Sequence, residues 1–389
     1  MDHRDHHRRW PLAAALLVGA ACLAAAAEGR IAQVEVLGLR YTQAAMVKRE
    51  LPFAPGDAWQ PEWQEETRRR LMATGLFSEV RVEPPDAAGV VRVYARDRWP
   101  LWLVPTATRK DNGESYLGLV LEDYNAWGRG DALRLELRRY AGRNFSRLTR
   151  EQSLSASYRM RRIGGGDWSA KLQGWKDPAG RGWSLAAERT LGPTPELGAR
   201  FALGWRTQWN ANGFRLLGPQ LEWRDEVIDE HLDWHRGWRA WASTWWTNYG
   251  LYLSGGYARY QLLNAVGDTV AWRLEGGAIQ GDRAALGSWD IGHRNGLRGY
   301  FPGEMPATSY ALASLEGRFL WRGHENVQGV PFVDAALVGW QGKVRVHWGV
   351  GAGVRWTLRW LVRGTIRFDI AYGVSIRKWR AYLGTMQAF

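Results

Sequence analysis

Arg298 has the setting most suggestive of chemistry in this 389-residue chain. It sits in Asn295-Gly296-Leu297-Arg298-Gly299-Tyr300, where nearby glycines free the backbone around a guanidinium. A guanidinium makes no covalent bonds here; it recognises carboxylates through a planar fork of donors. Two carboxylates follow in alternating segments. Glu316 lies opposite in face to Leu315, Phe319 and Trp321, and Asp334 shares a face with Phe332 and Ala336. Residue types alone leave two readings open. A solvated loop arginine gains under about 1 kcal/mol from an ion pair. A desolvated one requires carboxylates, and removing one partner of such a pair costs roughly 3–5 kcal/mol.

Signatures of catalysis are absent. There is no Gly-x-Ser-x-Gly elbow, phosphate loop or zinc-ligand spacing. His3, His6 and His7 fall at the extreme N-terminus, and His324 and His347 stand alone. Gly349-x-Gly351-x-Gly353 imitates a nucleotide loop, but it alternates with Val350, Ala352 and Val354 and reads as small residues on one strand face. No enzyme activity, cofactor or metal is expected.

Residues 1–27 read as a secretory signal peptide. Arg4, Arg8 and Arg9 supply the basic region, Pro11 to Ala24 the apolar core, and Ala25-Ala26-Ala27 the cleavage site. A permanent anchor is disfavoured by the flanks and weak apolarity. Cys22, the sole cysteine, lies inside this segment, so the mature chain has no disulfide. The formal charge is +13, but the arginines are spread through alternating segments, not clustered as a nucleic-acid surface would require. The 25 tryptophans suit either the interfacial girdles of a membrane barrel or the core of a soluble β-domain.

Residues 28–100 give the order strand, helix, helix, strand, strand. Ile31, Val34 and Val36 open the first strand, which ends at Gly38. Thr42 is placed to cap a helix carrying Ala45, Met46 and Val47. Pro61 starts a second helix, with Trp63, Thr67, Leu71 and Met72 near helical spacing, and Thr74-Gly75 stops it. Phe77 to Val82 and Val91, Val93 and Ala95 alternate as strands. Two helices on one face of a small sheet make an α+β domain.

From Leu101 the chain alternates continuously. Leu133, Leu135 and Leu137 interleave with Arg134, Glu136 and Arg138, and Ile366, Phe368, Ile370 and Tyr372 with Thr365, Arg367, Asp369 and Ala371. Alternation suits a sandwich as well as a barrel; the signal peptide, the tryptophans and the terminal Phe389 favour a transmembrane antiparallel β-barrel. About sixteen strands are counted, centred near residues 104, 119, 135, 155, 171, 186, 202, 220, 240, 255, 274, 315, 334, 352, 368 and 384. A long loop spans about 281–307 between the eleventh and twelfth strands.

The N-terminal segment resembles a single POTRA (polypeptide-transport-associated) domain, in the order βααββ. The matching residues are Val34 to Gly38, Pro55-Gly56, and Leu71-Met72-Ala73-Thr74-Gly75-Leu76-Phe77-Ser78-Glu79-Val80. Leu297-Arg298-Gly299-Tyr300 resembles the [VL]-R-G-[FY] loop motif of the outer-membrane assembly and translocation superfamily of BamA/TamA type. Phe332-Val333-Asp334-Ala335-Ala336 resembles its strand-13 motif, with Ala336 replacing a glycine, and Glu122 to Gly130 its second-strand segment. Tyr382, Gly384 and Phe389 resemble the C-terminal signal shown to the barrel-assembly machinery; Gln387 departs from it.

This resemblance implies that the loop folds into the lumen, with Arg298 paired to Asp334 and also Glu316. It implies a lateral seam between the last strand and the first, where Pro100, Pro105 and Gly384 weaken pairing. It implies a bacterial outer-membrane protein with residues 28–100 in the periplasm and the barrel at 101–389. The expected activity is insertion or translocation of unfolded outer-membrane or secreted polypeptides. The N-terminal domain would capture them by β-augmentation, with membrane lipid and periplasmic chaperones or accessory lipoproteins as further partners. Nucleic acid is not an expected partner. The alternatives are a passive pore or lipid-handling channel on the same scaffold, and an N-terminal domain that is a mere spacer. A structural adhesin is disfavoured by the short loops.

Overall fold

The computed structural model describes residues 30–109, 113–163, 166–178, 180–194, 197–230, 235–321, 324–358 and 364–385. Residues 1–27, the segment read as a signal peptide, and Phe389 lie outside the described residues. The chain divides into two compact units. The first runs to Trp102 and takes in Glu122–Leu133; the second comprises Leu103–Leu121 and the chain from Arg134 onward.

In the first unit, β1 (Gln33–Leu37), α1 (Ala44–Arg49), α2 (Glu62–Ala73), β2 (Phe77–Glu83) and β3 (Val90–Asp97) follow one another. The sheet order is β1-β3-β2, with β1 parallel and β2 antiparallel to β3. Alternation places Val91, Val93 and Ala95 of β3 in the core with Val80 and Val82 of β2. Met46 and Val47 of α1 and Leu71 of α2 cover them. Pro61 is the N-cap of α2, a position with no need of an N–H donor. Thr42 does not cap α1: the N-cap is Gln43, without a side-chain hydrogen bond. The Thr42 hydroxyl donates instead to Asp97 at 2.5 Å.

Sixteen strands form one antiparallel sheet whose order follows the chain. The first eight are β4 (Leu101–Arg109), β5 (Glu114–Ala126), β6 (Asp131–Arg143), β7 (Gln152–Met160), β8 (Trp168–Asp177), β9 (Gly180–Thr194), β10 (Leu197–Asn210) and β11 (Arg215–Glu230). Three more are β12 (His235–Thr247), β13 (Gly250–Leu262) and β14 (Thr269–Gly281). After the long loop, with its short strands β15 (Trp289–Asp290) and β16 (Pro306–Ala307), come β17 (Ser309–Trp321), β18 (His324–Trp340), β19 (Lys343–Leu358), β20 (Gly364–Gly373) and β21 (Lys378–Thr385). Each centre read from the sequence falls inside one of the sixteen.

The sheet is two-sided because its residues alternate. Leu172, Leu185, Leu203, Leu221, Leu253 and Leu315 are exposed on one face. Glu316, Arg318, Asp334, Arg355, Arg367 and Asp369 are buried on the other. An oily outer face around a charged interior is the pattern of a transmembrane antiparallel β-barrel, whose exterior meets lipid and whose lumen is polar. The last strand, β21, starts at Lys378, and its described pairing with β20 runs to Thr385.

The loop between β14 and β17 has structure of its own. A helical turn, α3 (Arg283–Leu286), is capped by Asp282, whose side chain accepts from the Ala284 N–H. β15 and β16 pair antiparallel and close a sub-loop that carries Arg298 at its far end. Ile291, Leu297, Tyr300 and Met305 pack on Leu312 of β17 and on Ala336 and Val338 of β18. Burying a leucine-sized side chain this way contributes roughly 1.5–3 kcal/mol.

Candidate functional site

The far end of the loop places Arg298 against the luminal faces of β17 and β18. Register aligns Ser314 with Asp334, so Glu316 and Asp334 lie on the same side of adjacent strands. Arg298 Nε and Nη2 donate to the two Asp334 oxygens, each at 2.7 Å, a bidentate fork. The Arg298 backbone N–H also donates to Asp334, at 3.1 Å. Nη1 donates to Glu316 at 2.5 Å, and the guanidinium lies 3.5 Å from the centre of the Phe332 ring. The arginine is 1 % exposed and both carboxylates 0 %. The pairing is therefore desolvated, where the loss of one partner is expensive.

The network extends beyond this triad. Arg318 donates to Glu316 at 2.9 Å, Arg355 to Asp369 at 2.5 Å, and Arg367 to Asp369 at 2.6 Å. Arg367 also donates to the Asn295 side chain and the Arg294 carbonyl of the loop. Cations and carboxylates alternate across four strands: Glu316 and Asp369 each meet three arginines, whereas among the described residues Asp334 is held by Arg298 alone.

Two glycines permit the approach. Gly299 holds φ at +98°, and a Cβ there would lie 2.7 Å from the Gly373 nitrogen. A Cβ at Gly349 would lie 1.8 Å from the Arg298 carbonyl oxygen. Gly349 thus leaves room for the Arg298 backbone, while at Gly351 and Gly353 a Cβ would instead meet β20, at the Ile370 carbonyl and the Asp369 carboxylate.

The last strand is tied to the same loop. The Tyr382 hydroxyl accepts from the Gly299 N–H at 2.8 Å and donates to the Tyr300 carbonyl at 3.0 Å. Arg294 donates to the Leu383 carbonyl at 2.7 Å and passes over Gly384, where a Cβ would meet its guanidinium at 3.4 Å. Tyr300 lies fully buried, its hydroxyl donating to the Trp348 carbonyl at 3.1 Å.

No family model matches this chain, and no curated protein sequence matches it. Solved structures do. BamA from Haemophilus ducreyi lacking POTRA domains 1–3 superposes with a TM-score of 0.67 at 16% identity, covering 92% of this chain and 83% of that one. CdiB from Acinetobacter baumannii gives 0.64 at 14% identity, with 92% and 73% covered. CdiB from Escherichia coli gives 0.61 at 13%, with 92% and 74%. The chain has the BamA–CdiB fold. At these identities the likeness speaks for the fold.

In the first unit the POTRA-like residues occupy structural positions. Gly38, Gly56 and Gly75 all hold positive φ. Gly75 follows the last turn of α2, where that conformation ends a helix. Leu71, Leu76, Phe77 and Val80 are buried in the core. β3 is central, so β1 and β2 are the sheet's two edges.

Residues 122–133 complete this unit. The Asn125 amide donates to Thr42 Oγ1 at 2.7 Å and accepts from the Gly130 N–H at 2.8 Å, while the Gln43 N–H donates to the Gly128 carbonyl at 2.8 Å. Burial opposes ionisation of Asp97. The Thr42 hydroxyl and the N–H groups of Tyr41, Arg40 and Thr42 outweigh it and hold the carboxyl below its ordinary range.

Sequence reasoning missed the parts of Arg355, Arg367 and Asp369, the loop-facing hydroxyl of Tyr382, and the Thr42–Asp97 pair. The alternation had placed Arg367 and Asp369 on one face; nothing in it said that the loop would reach them.

Proposed function

We propose that this chain is an outer-membrane protein that inserts polypeptides into the membrane or passes them across it, without enzymatic chemistry. The observation that carries this reading is the buried Arg298 fork on Asp334 and Glu316. A loop is anchored by a desolvated ion network inside a barrel wall and tied by Tyr382 and Arg294 to the last strand. A barrel holding such a loop in its lumen is poorly built for steady conductance and well built for a coupled movement of loop and terminal strand. The POTRA-like unit supplies two sheet edges to which an extended client could add by backbone hydrogen bonds. Unfolded outer-membrane or secreted polypeptides are the proposed clients, with chaperones or lipoproteins delivering them.

A second reading, a pore or lipid-handling channel, draws on the other luminal wall, where charged side chains such as Arg134 and Arg224 stay exposed. The experiment is depletion in cells followed by quantitation of the outer-membrane and secreted proteomes. The client reading expects selective loss of barrel or secreted proteins, restored by wild type and not by Arg298→Ala. Unchanged protein levels, with large steady conductance from the purified barrel, would leave the pore reading standing.

A further inference from the structure

Luminal arginines in the barrel commonly carry a carboxylate two residues away on the same strand. Arg134 and Arg138 flank Glu136, at 3.4 and 2.5 Å. Arg224 reaches Glu226 at 2.7 Å, and Arg273 reaches Glu275 at 3.4 Å. Arg206 on β10 breaks the pattern. Its neighbour two residues on is Gln208, which accepts from Nη2 at 2.7 Å. Its Nε is buried without an acceptor among the described residues. The guanidinium lies instead 5.1 Å from the Trp175 ring centre and 4.5 Å from that of Trp245, which stacks on Tyr252. Two rings fix the cation in place but leave its charge unmatched.

Arg206 lines a cavity of about 220 Å³ on the luminal wall. Its floor is made of small residues. Register sets Lys171, Ala186, Gly204 and Gln220 in one row across β8 to β11, with Ala202 beside them. Lys171 stands at one side of the row, and Gln220 and Glu222 at the other. Glu188, below, is already paired with Arg159 at 3.3 Å. Glu222 accepts from the Gln220 amide. Among the described residues, neither Lys171 nor Arg206 has a carboxylate within ion-pair distance.

We propose that this recess is an oxyanion-binding site, and that it receives acidic side chains of a polypeptide moving along the lumen. A fixed guanidinium fork and an ammonium across a small-residue floor suit a carboxylate. The polypeptide source rests on the client reading above; the oxyanion chemistry does not. Fluorescent hexaglutamate, hexalysine and inorganic phosphate are titrated onto the full-length protein in detergent micelles.

Hexaglutamate is expected to bind in a salt-dependent way and hexalysine not to bind. Arg206→Gln is expected to weaken hexaglutamate about tenfold and Lys171→Gln by less, with Arg206→Lys retaining part of the affinity. Glu222→Gln should tighten it, a gain that misfolding cannot produce. An unchanged affinity in Arg206→Gln overturns the site. Displacement by phosphate at concentrations equal to the peptide overturns the polypeptide as its occupant. Arg206-dependent binding with a normal proteome on depletion would reject the client reading alone, and the converse would reject the recess alone.

Discussion

The two walls of the lumen carry the same residue types and use them differently. On β17 to β20, Glu316, Asp334 and Asp369 meet Arg298, Arg318, Arg355 and Arg367, all essentially out of contact with solvent. On β6 to β11, the arginines of comparable pairs remain 40–48% exposed: Arg134 with Glu136, Arg159 with Glu188, and Arg224 with Glu226. What separates the walls is the loop, which covers the first with Leu297, Tyr300 and the Arg298 backbone. An exposed pair is screened and contributes little. A covered one is costly to break. An arginine and a glutamate on alternating strands therefore say nothing about function until it is known what lies over them.

The comparison is broken most severely at Asp334. Asp334→Ala strips the bidentate partner from a buried guanidinium and is expected to cost roughly 3–5 kcal/mol, read by denaturant unfolding of the refolded barrel. Gly349→Val should displace the loop outright, because even a Cβ there overlaps the Arg298 carbonyl. Limited proteolysis within residues 281–307 is expected to become rapid while wild type resists. Tyr382→Phe removes one hydroxyl that both accepts from and donates to the loop backbone, and should cost about 1–3 kcal/mol by the same unfolding assay. Glu188→Gln, on the uncovered wall, should change stability by under about 1 kcal/mol. If it cost as much as Asp334→Ala, the contrast between walls would be lost.

The first unit supplies a pH test independent of both walls. The folded-state pKa of Asp97 lies below its unfolded value, so its contribution is present above about pH 3.9, the ordinary aspartate value, and is lost as pH falls through the folded value. Hydrogen exchange around residues 40–43 should quicken in that acid range. Asp97→Asn should show the quickened exchange already at neutral pH.

Much of the fold was legible because period-two alternation is dictated residue by residue. Leu133-Arg134-Leu135-Glu136-Leu137 can be only a half-wet strand, and turn residues between such runs count the strands. The order of the first unit was legible from Pro61, Gly75 and the alternating valines. What alternation does not carry is contact between distant segments. Thr42 has the right type and place for a helix cap, but the carboxylate of Asp97, 55 residues on, outcompetes the backbone for its hydroxyl. Tyr382 reads only as part of a terminal-strand signal, and nothing in that pattern places a loop 82 residues earlier against its oxygen. Gly349 reads as one more small residue on its strand, since only the Arg298 carbonyl lying against it explains the missing side chain.

The most direct measurement is a double-mutant cycle between Arg298 and Asp334. The single variants Arg298→Ala and Asp334→Ala and the double variant are unfolded in denaturant from the same lipid. If the guanidinium is seated on that carboxylate inside the wall, the coupling energy should reach about 2–3 kcal/mol, with the double variant far less damaged than the singles sum to. Additive losses within about 0.5 kcal/mol would contradict it, because side chains that do not meet show additivity of that order.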